Sequence, residues 1–399
     1  MHTTPLTGLV LSGGGARAAY QVGVLQAVAQ LRRETPGMPA GNPFGVICGT
    51  SAGAINAAAL ACHADHFDHA VDALAQVWSQ FTADQVYRAD SLGVIRSGAQ
   101  WLTMLSLGWA LTRWRRLRPR SLLDNSPLHG LLAQAVAWER LPTLLRRRHV
   151  QALAITASSY SSGEHVTYFQ SAASMVGWNR SQRTARQVTL GVEHLLASSA
   201  IPFVFPAAEL DFDGQPQWFG DGSMRQSAPL SPAIHLGAQR LLIVGAGRMH
   251  EPTGRQAANL GYPSLAQIAG HALSSIFLDA LAVDVERLER INRTLSLLPE
   301  HLRSQTQLRP IEALVIAPTQ RLDEIAARHQ GALPRPVRAL LRGAGVQGQG
   351  AQASGAALAS YLLFEAPYTQ ELMALGRSDA MARRAELLKF LWPQAADRQ

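Results

Sequence analysis

Two glycine-rich turns, each placed between a short apolar run and a run of helix-forming residues, constrain this chain more than any other feature of its sequence. The first turn lies in LVLSGGGARAAY at residues 9–20, and the second lies in ICGTSAGAINAA at residues 47–58. A strand that turns sharply into a helix, twice near the start of a chain, is typical of an α/β fold with a parallel sheet. The sequence therefore predicts two neighbouring strand-to-helix units.

Later apolar runs continue this alternation. Residues 150–159, 240–247 and 312–318 have the composition of buried strands in a largely parallel sheet. Residues 211–219, DFDGQPQWF, place Asp213 and Gly214 between two short runs, which predicts a hairpin. We expect an α/β fold with a mainly parallel sheet flanked by helices.

From residue 264 onward the pattern becomes helical. Ser264 and Gln267 have the spacing of a capping box. An apolar stripe follows at helical spacing, formed by Phe277, Leu281, Val285 and Leu288. We therefore expect two regions: a first domain over residues 1–250, and a mostly helical extension over residues 251–399 that packs on it or next to it.

Composition and charge limit the class of protein. Of 399 residues, 47% are apolar and 16% are charged, which is typical of a globular protein. Lys and Arg outnumber Asp and Glu by 36 to 28, so an anionic partner such as lipid or nucleic acid is expected. Cys48 and Cys62 are too few for a disulfide framework and suit a reducing compartment. Because neither a signal peptide nor an uncharged apolar run of about 18 residues is present, we expect a cytoplasmic protein.

The first glycine turn has two possible nucleotide-binding interpretations, and both fail. Gly13, Gly15 and Ala18 fit the dinucleotide pattern, which also needs an acidic residue about 20 positions later at the end of the second strand. Glu34 has that distance, but it ends a helix instead of a strand. A phosphate-binding loop requires Gly-Lys-Ser or Gly-Lys-Thr, which does not follow here.

The second glycine turn predicts a serine nucleophile. Gly49 and Gly53 flank Ser51 in a G-x-S-x-G pattern between a strand and a helix, which would expose the hydroxyl at the positive end of that helix. If the first two strands are parallel neighbours, the backbone N–H groups of residues 13–15 would face Ser51 and form an oxyanion hole. The alternative for each motif alone is a tight turn that only packs.

A serine nucleophile needs a base, and the residues alone leave its identity open. In α/β-hydrolases several strands precede the nucleophile and a histidine follows, whereas here one strand precedes Ser51. Asp221 follows an apolar run in a Gly-Asp-Gly turn, where it is either a rigidly held base or a turn-forming residue. The histidines after residue 200 lie in no catalytic turn context: His235, His250, His271, His301 and His329.

Four spaced segments together resemble the patatin-like phospholipase family. They are LSGGGARAAYQVGVL, GTSAGAIN, ASSAIPFVFPA and FGDGSMRQSAPLSPAIHLGA, in the family's order, and the resemblance covers residues 7 to about 247. SLLDNSPLHGLL at residues 121–132 is similar to the family's segment between nucleophile and acid. The resemblance implies a parallel sheet flanked by helices, a catalytic domain over residues 1–250, and a Ser/Asp dyad that uses no histidine.

The resemblance also implies residue roles. Ser51 is the nucleophile and Asp221 the general base, and Arg17 lies behind the oxyanion hole, where it pins the loop, attracts an anionic headgroup, or is only a surface arginine. Ser223 departs from the glycine or alanine usual after Asp-Gly. The implied oxyanion-hole residues are Gly13, Gly14 and Gly15, and the implied supporting glycines are Gly49, Gly53 and Gly222.

We expect no cofactor and no metal. The segment CHADHFDHAVD places His63, His66 and His69 three residues apart. Three-residue steps drift around a helix, so the first and third rings do not face one ion well. We interpret this segment as a polar helix face.

One uncharged segment predicts contact with a membrane surface. Residues 97–112 carry no charge, and RWRRLRPR follows with five arginines. Such a helix suits a bilayer interface, with tryptophans at headgroup depth and arginines on anionic lipid. The alternative is a buried core helix with a basic end. The expected contact residues are Trp101, Trp109, Arg113, Arg115 and Arg116, with Leu105 on the same face as the two tryptophans.

The expected function is hydrolysis of lipid acyl esters, of the phospholipase A or lysophospholipase type. An acyltransferase that uses the same dyad is one alternative, and a non-enzymatic basic membrane-binding protein with an inactive dyad is another. The expected partners are a lipid or phospholipid substrate and an anionic membrane surface, with no nucleic acid. We expect the protein in the cytoplasm, in peripheral contact with the inner face of the membrane.

Overall fold

The computed structural model describes residues 5–38, 41–89, 120–249, 262–346 and 355–393. Within these residues the chain forms one ten-stranded mixed sheet flanked by helices. The strands are β1 (Thr7–Leu11), β2 (Val46–Thr50), β3 (Ala152–Ser159), β4 (His165–Ser171), β5 (Asn179–Arg180), β6 (Arg183–Gln187), β7 (Ala208–Phe212), β8 (Gln215–Asp221), β9 (Arg240–Val244) and β10 (Glu312–Ile316). The predicted α/β class is confirmed.

The order of the strands brings the two glycine turns together. The sheet runs β10-β9-β1-β2-β3-β4-β6-β5, and β8 joins β3 and β7. Strands β10, β9, β1, β2 and β3 are parallel, whereas β4 and β8 run antiparallel to β3. In the β1–β2 pair Leu11 lies opposite Gly49. The carboxyl ends of β1 and β2 are therefore adjacent, as predicted.

Helices cover both faces of this sheet. Their bounds are α1 (Ala19–Glu34), α2 (Ala52–Ala61), α3 (Phe67–Ser79), α4 (Ser126–Ala135), α5 (Leu141–Arg146), α6 (Val192–Ser198), α7 (Ser231–His235), α8 (Leu265–Ser274), α9 (Ala280–Leu297), α10 (Glu300–Arg303), α11 (Leu322–His329), α12 (Arg335–Gly343), α13 (Ala356–Leu362), α14 (Ala366–Ala382) and α15 (Arg384–Leu391). A π-helical turn, Ser275–Asp279, joins α8 to α9.

The sheet separates two apolar cores, as the alternation of side chains along a strand requires. In β1, Leu9 and Leu11 pack into the core that contains α1 and α2, and Val10 packs into the core that contains Leu230 and Ala233 beside α7. All five residues of β1 are buried. Because β1 is buried on both faces, its sequence is a continuous apolar run instead of an alternating pattern.

Several local predictions are confirmed. Ser264 and Gln267 form the capping box at the start of α8. Strands β7 and β8 form the predicted hairpin, in which Asp213 and Gly214 both have positive φ, as a two-residue hairpin turn requires. The strand predicted at 312–318 is β10, which pairs with β9. Residues after 250 therefore supply an edge strand of the main sheet in addition to helices.

Membrane-spanning potential is limited to one helix in the described part of the chain. Leu265–Leu297 is long and apolar enough to cross a membrane by length and composition, which alone is a weak indication. Asp279 interrupts it, so a search for uncharged runs does not find it. The predicted stripe of Phe277, Leu281, Val285 and Leu288 is buried, as in a helix packed on a core. Residues 97–116, where we predict membrane contact, lie outside the described residues.

Candidate active site

Ser51 occupies a strained turn between β2 and α2. Its φ is +55°, a left-handed conformation that non-glycine residues rarely adopt and that is a feature of the nucleophile elbow. A Cβ at Gly53 would lie 2.5 Å from the carbonyl oxygens of Leu11 and Ser12. A Cβ at Gly49 would lie 2.4 Å from the carbonyl oxygen of Gly53. Only glycine fits at these two positions, because Gly49 packs against the backbone of α2 and Gly53 packs against the backbone at the end of β1.

The Ser51 side chain is fully buried. Its backbone N–H donates to Ser198 Oγ at 2.9 Å, which fixes the turn. Its own Oγ has no hydrogen-bond partner among the described residues. The residue lies at the N-terminus of α2, where the helix dipole favours negative charge.

Asp221 ends β8 and lies in the same buried region. Its backbone N–H donates to the carbonyl oxygen of Ala200 at 3.0 Å, and its Oδ1 accepts from the N–H of Ser223 at 2.9 Å. Its Oδ2 is buried without a hydrogen-bond partner in the described structure. The Ser51 hydroxyl is close enough to lower the pKa of this carboxyl, although the two side chains do not form a hydrogen bond of standard length.

The pKa of Asp221 suits a general base. Burial raises it from the ordinary value to about 6, and the Ser51 hydroxyl and the N–H and hydroxyl of Ser223 pull it partly back. Tyr160 is the neighbouring titratable group, and burial together with the Asp221 charge raises the pKa of its phenol. A carboxyl with a pKa near 6 is ionised at neutral pH and accepts a proton more readily than an exposed carboxylate does.

Two of the described histidines after residue 200 have partners away from Ser51 and Asp221. The His235 ring stacks on Trp178 with centroids 4.7 Å apart, and His329 Nε2 lies 2.6 Å from an oxygen of Glu371. No described histidine is hydrogen-bonded to Ser51 Oγ or to Asp221 Oδ2. His250 lies outside the described residues.

The glycine loop, residues 13–15, follows β1 and lies beside the turn at Ser51. The close approach of Gly53 to the carbonyl oxygens of Leu11 and Ser12 places the start of this loop against the first turn of α2. Outside regular secondary structure, no described backbone carbonyl accepts a hydrogen bond from the N–H groups of Gly13 or Gly14. Donors without a backbone acceptor beside Ser51 are what the predicted oxyanion hole requires.

An apolar cavity of about 290 Å³ extends from Ser51. It follows α2 past Ile55 and Ala59, and α3 and α4 form its walls. Its lining includes Phe364, which comes from the far end of the chain. Most of the lining is hydrocarbon, which suits an apolar ligand group. Val77 of α3, which lines the cavity, is exposed to solvent.

The sequence analysis missed or undervalued several of these residues. Ser223 stood out in the sequence only as a departure from the usual glycine or alanine, whereas in the structure its backbone N–H donates to Asp221 Oδ1 at 2.9 Å. Its position two residues after an aspartate is the signal that an Asx-type hydrogen bond would give. Ser198 lies in the ASSAIPFVFPA segment, which was noted without a role for this serine, and Phe364 lies far from Ser51 in sequence, where no local pattern indicates it.

The remaining predicted residues have mixed outcomes. Arg17 is 4% exposed, so the surface-arginine alternative is wrong. A Cβ at Gly222 would lie 2.2 Å from the carbonyl oxygen of Thr156, which makes it a close-contact glycine. Among the described side chains no group of three His, Cys, Asp or Glu residues could hold a metal ion. The membrane-contact residues lie outside the described residues: Trp101, Trp109, Arg113, Arg115 and Arg116.

Comparisons with known proteins give one family match and several structural similarities. The family model described as patatin-like phospholipase matches residues 9–234. Human GIVD cytosolic phospholipase A2 is 11% identical, with 99% of this chain and 61% of that chain covered and a TM-score of 0.46. VipD from Legionella pneumophila is 12% identical (93% and 67% covered, TM-score 0.31), and the type III effector ExoU of Pseudomonas aeruginosa is 16% identical (97% and 80%, 0.29). No curated protein sequence matches the chain.

Proposed function

This chain belongs to the patatin-like phospholipase family, and we propose that it hydrolyses acyl esters of lipids through a dyad of Ser51 and Asp221. The observation that carries the proposal is that Ser51 Oγ, at the end of an apolar cavity, and Asp221 Oδ2, beside Ser51, are both buried without a hydrogen-bond partner among the described residues. A nucleophile and a base left without other partners are available to each other once substrate binds.

In the first half-reaction Asp221 Oδ2 takes the proton of Ser51, and Oγ attacks the carbonyl carbon of the ester. The carbonyl oxygen becomes an oxyanion held by the N–H groups of Gly13, Gly14 and Gly15. When the tetrahedral intermediate collapses, the bond to the alcohol breaks, and the departing alcohol receives the proton from Asp221. The product is an acyl ester of Ser51.

In the second half-reaction water attacks the acyl-enzyme while Asp221 accepts one of its protons. The bond to Ser51 Oγ breaks, Oγ receives the proton back, and the fatty acid leaves. An alcohol in place of water would give acyl transfer by the same steps. The two outcomes differ only in the acceptor, so the products distinguish them.

The cavity supports a substrate with an acyl chain. From Ser51 to Ala59 the cavity follows eight residues of chain, which is about 12 Å at the helical rise of 1.5 Å per residue. Its hydrocarbon lining favours transfer of an alkyl chain out of water by about 0.8 kcal/mol per buried methylene. A lipid ester, with its carbonyl at Ser51 and its chain along α2, fits this shape.

The test is labelling by a fluorophosphonate together with turnover of a panel of phospholipid, lysophospholipid and triglyceride. The wild-type protein should be labelled and should release fatty acid, and Ser51→Ala should do neither while it keeps the same melting temperature. A folded wild-type protein that is neither labelled nor active would contradict the proposal. Glycerol added to the assay should leave fatty acid as the main product, and a dominant acylglycerol product would favour acyl transfer.

We extend the proposal to the membrane surface, with the protein in the cytoplasm and in peripheral contact with anionic lipid through residues 97–116. The protein should sediment with vesicles that contain anionic phospholipid, and the bound fraction should fall as salt is raised. Each arginine contributes about 1 kcal/mol to the binding free energy, and salt screens that contribution. Replacing Arg113, Arg115 and Arg116 with Gln should weaken sedimentation but leave hydrolysis of a short soluble ester unchanged. Equal binding by this variant and the wild type at low salt would exclude the docking role.

A further inference from the structure

The glycine loop is held from outside by a segment more than 300 residues away in sequence. Residues 356–364, here called the C-terminal clasp, comprise α13 and the two residues that follow it. At Gly15, where φ is +55°, a Cβ would lie 2.3 Å from the carbonyl oxygen of Tyr361. The backbone of the clasp therefore rests directly on the last glycine of the loop.

Arg17 ties the loop to the clasp by two further contacts. Its Nε donates to Ser360 Oγ at 2.8 Å, and Ser360 Oγ in turn donates to the carbonyl oxygen of Ala357 at 2.6 Å. The guanidinium carbon lies 4.1 Å from the centroid of the Tyr361 ring, within range of a cation–π interaction. Because Arg17 is nearly fully buried, both contacts form away from water, where they are stronger than on a surface.

Phe277 extends this support to the other end of the loop. Its ring stacks on Tyr361 with centroids 5.0 Å apart, and its Cδ1 lies 2.9 Å from the position of a Cβ at Gly13. The loop is thus packed against Phe277 at Gly13 and against Tyr361 at Gly15. Both ends of the loop therefore contact a buried aromatic ring, which limits their movement.

The clasp also reaches the cavity. Tyr87 Oη donates to the carbonyl oxygen of Leu362 at 2.9 Å. Phe364 lines the cavity, and its ring centroid lies 5.7 Å from that of Phe81 and 6.4 Å from that of Trp78. One segment of the region after residue 250 therefore contacts both the glycine loop and the cavity that begins at Ser51.

We infer that the C-terminal clasp positions the oxyanion hole, with Tyr361 and Arg17 as positioning residues that hold the N–H groups of the glycine loop toward the substrate carbonyl. This inference rests on the proposed hydrolase function. It also assigns a role to the extension over residues 251–399: the extension completes the site that the first 250 residues begin, and does not act as an independent module.

The test compares Tyr361→Leu with a matched control, Phe390→Leu. Phe390 is also a buried ring of the C-terminal region with an arginine over it, since Arg240 Cζ lies 4.5 Å from its centroid. Arg240 begins β9, opposite Thr7 at the start of β1, whereas the glycine loop follows the end of β1. The control therefore removes the same kind of contact at the opposite edge of the sheet.

We expect Tyr361→Leu to lower kcat for a soluble short-chain ester by about 10- to 100-fold with little change in KM, because a displaced oxyanion donor acts only in the transition state. The rate of fluorophosphonate labelling should fall in parallel. Phe390→Leu should lower the melting temperature by about as much as Tyr361→Leu does, but its kcat should equal that of the wild type. Tyr361→Phe, which keeps the ring, should rescue kcat, and Arg17→Lys tests the same contact from the loop side if Tyr361→Leu does not fold.

A folded Tyr361→Leu protein with wild-type kcat would overturn the inference, as would an equal loss of kcat in Phe390→Leu. Failure of the proposed function gives a different result, because in that case the wild-type protein itself is neither labelled nor active. The two failures are therefore distinguishable in one set of measurements.

Discussion

Asp221→Asn is expected to abolish turnover about as completely as Ser51→Ala, by about 10⁴-fold or more, while leaving the protein folded. The amide has nearly the shape of the carboxylate but cannot accept the Ser51 proton, and residues that act as one unit lose nearly the full effect when either is removed. The measurement is kcat for a soluble ester with both single variants and the double variant. The double variant should be no less active than either single one.

The pH dependence follows from the raised pKa of Asp221. In the wild-type protein kcat/KM should rise with pH through about 6 and level off above it, because only the ionised carboxylate accepts a proton. Since the folded pKa exceeds that of the unfolded chain, this carboxyl stabilises the fold fully below about pH 4, and that stabilisation is lost as the pH rises through about 6. Asp221→Asn should therefore be more stable than the wild type at pH 8, by up to about 3 kcal/mol, with the difference shrinking toward pH 4.

The histidines provide the control for this prediction. Alanine at any histidine after residue 200 should keep kcat within about tenfold of the wild type, because none of them is expected to transfer a proton. These are His235, His250, His271, His301 and His329. A folded histidine variant as inactive as Asp221→Asn would replace the dyad with a triad.

Ala59→Phe is expected to shorten the acyl chain that the protein accepts. Ala59 is buried on the cavity side of α2, eight residues from Ser51, and a phenyl ring there would fill the space that a long chain occupies. An apolar pocket discriminates between substrates that differ by one methylene by about 10- to 200-fold in kcat/KM. We therefore expect kcat/KM for a long-chain ester to fall about 100-fold relative to that for a butyrate ester. A chain-length series measured on wild type, Ala59→Leu and Ala59→Phe tests this.

The series contains its own control. Ala59→Leu should shorten the longest acyl chain that the protein accepts by less than Ala59→Phe does. Turnover of the butyrate ester reports whether the catalytic residues are intact. Equal losses for butyrate and long-chain esters would mean that the cavity is the access path and not the acyl site. An unchanged series in a folded Ala59→Phe protein would contradict the assignment of the cavity altogether.

The sequence determined the features that depend on neighbouring residues. The two glycine turns, the Asp213-Gly214 hairpin and the Ser264 capping box were all predicted, because each is built by backbone and side-chain contacts within a few positions. Strands β4 to β6 were not predicted. The antiparallel pairing of β4 with β3, the parallel pairing of β6 with β4 and the antiparallel pairing of β5 with β6 are set by the sheet and not by a strong local pattern.

Only the tertiary structure decided how the site is composed and how it is charged. Ser51 and Asp221 lie 170 positions apart, and the β2–β3–β8 pairing brings their strand ends together. Burial, which is a property of the whole surrounding fold, raises the pKa of Asp221. The contacts of Arg17 and Gly15 with Ser360 and Tyr361 join the two ends of the chain. The sequence places the reactive groups at strand ends because that placement is local, whereas their proximity, desolvation and support arise from packing between distant segments.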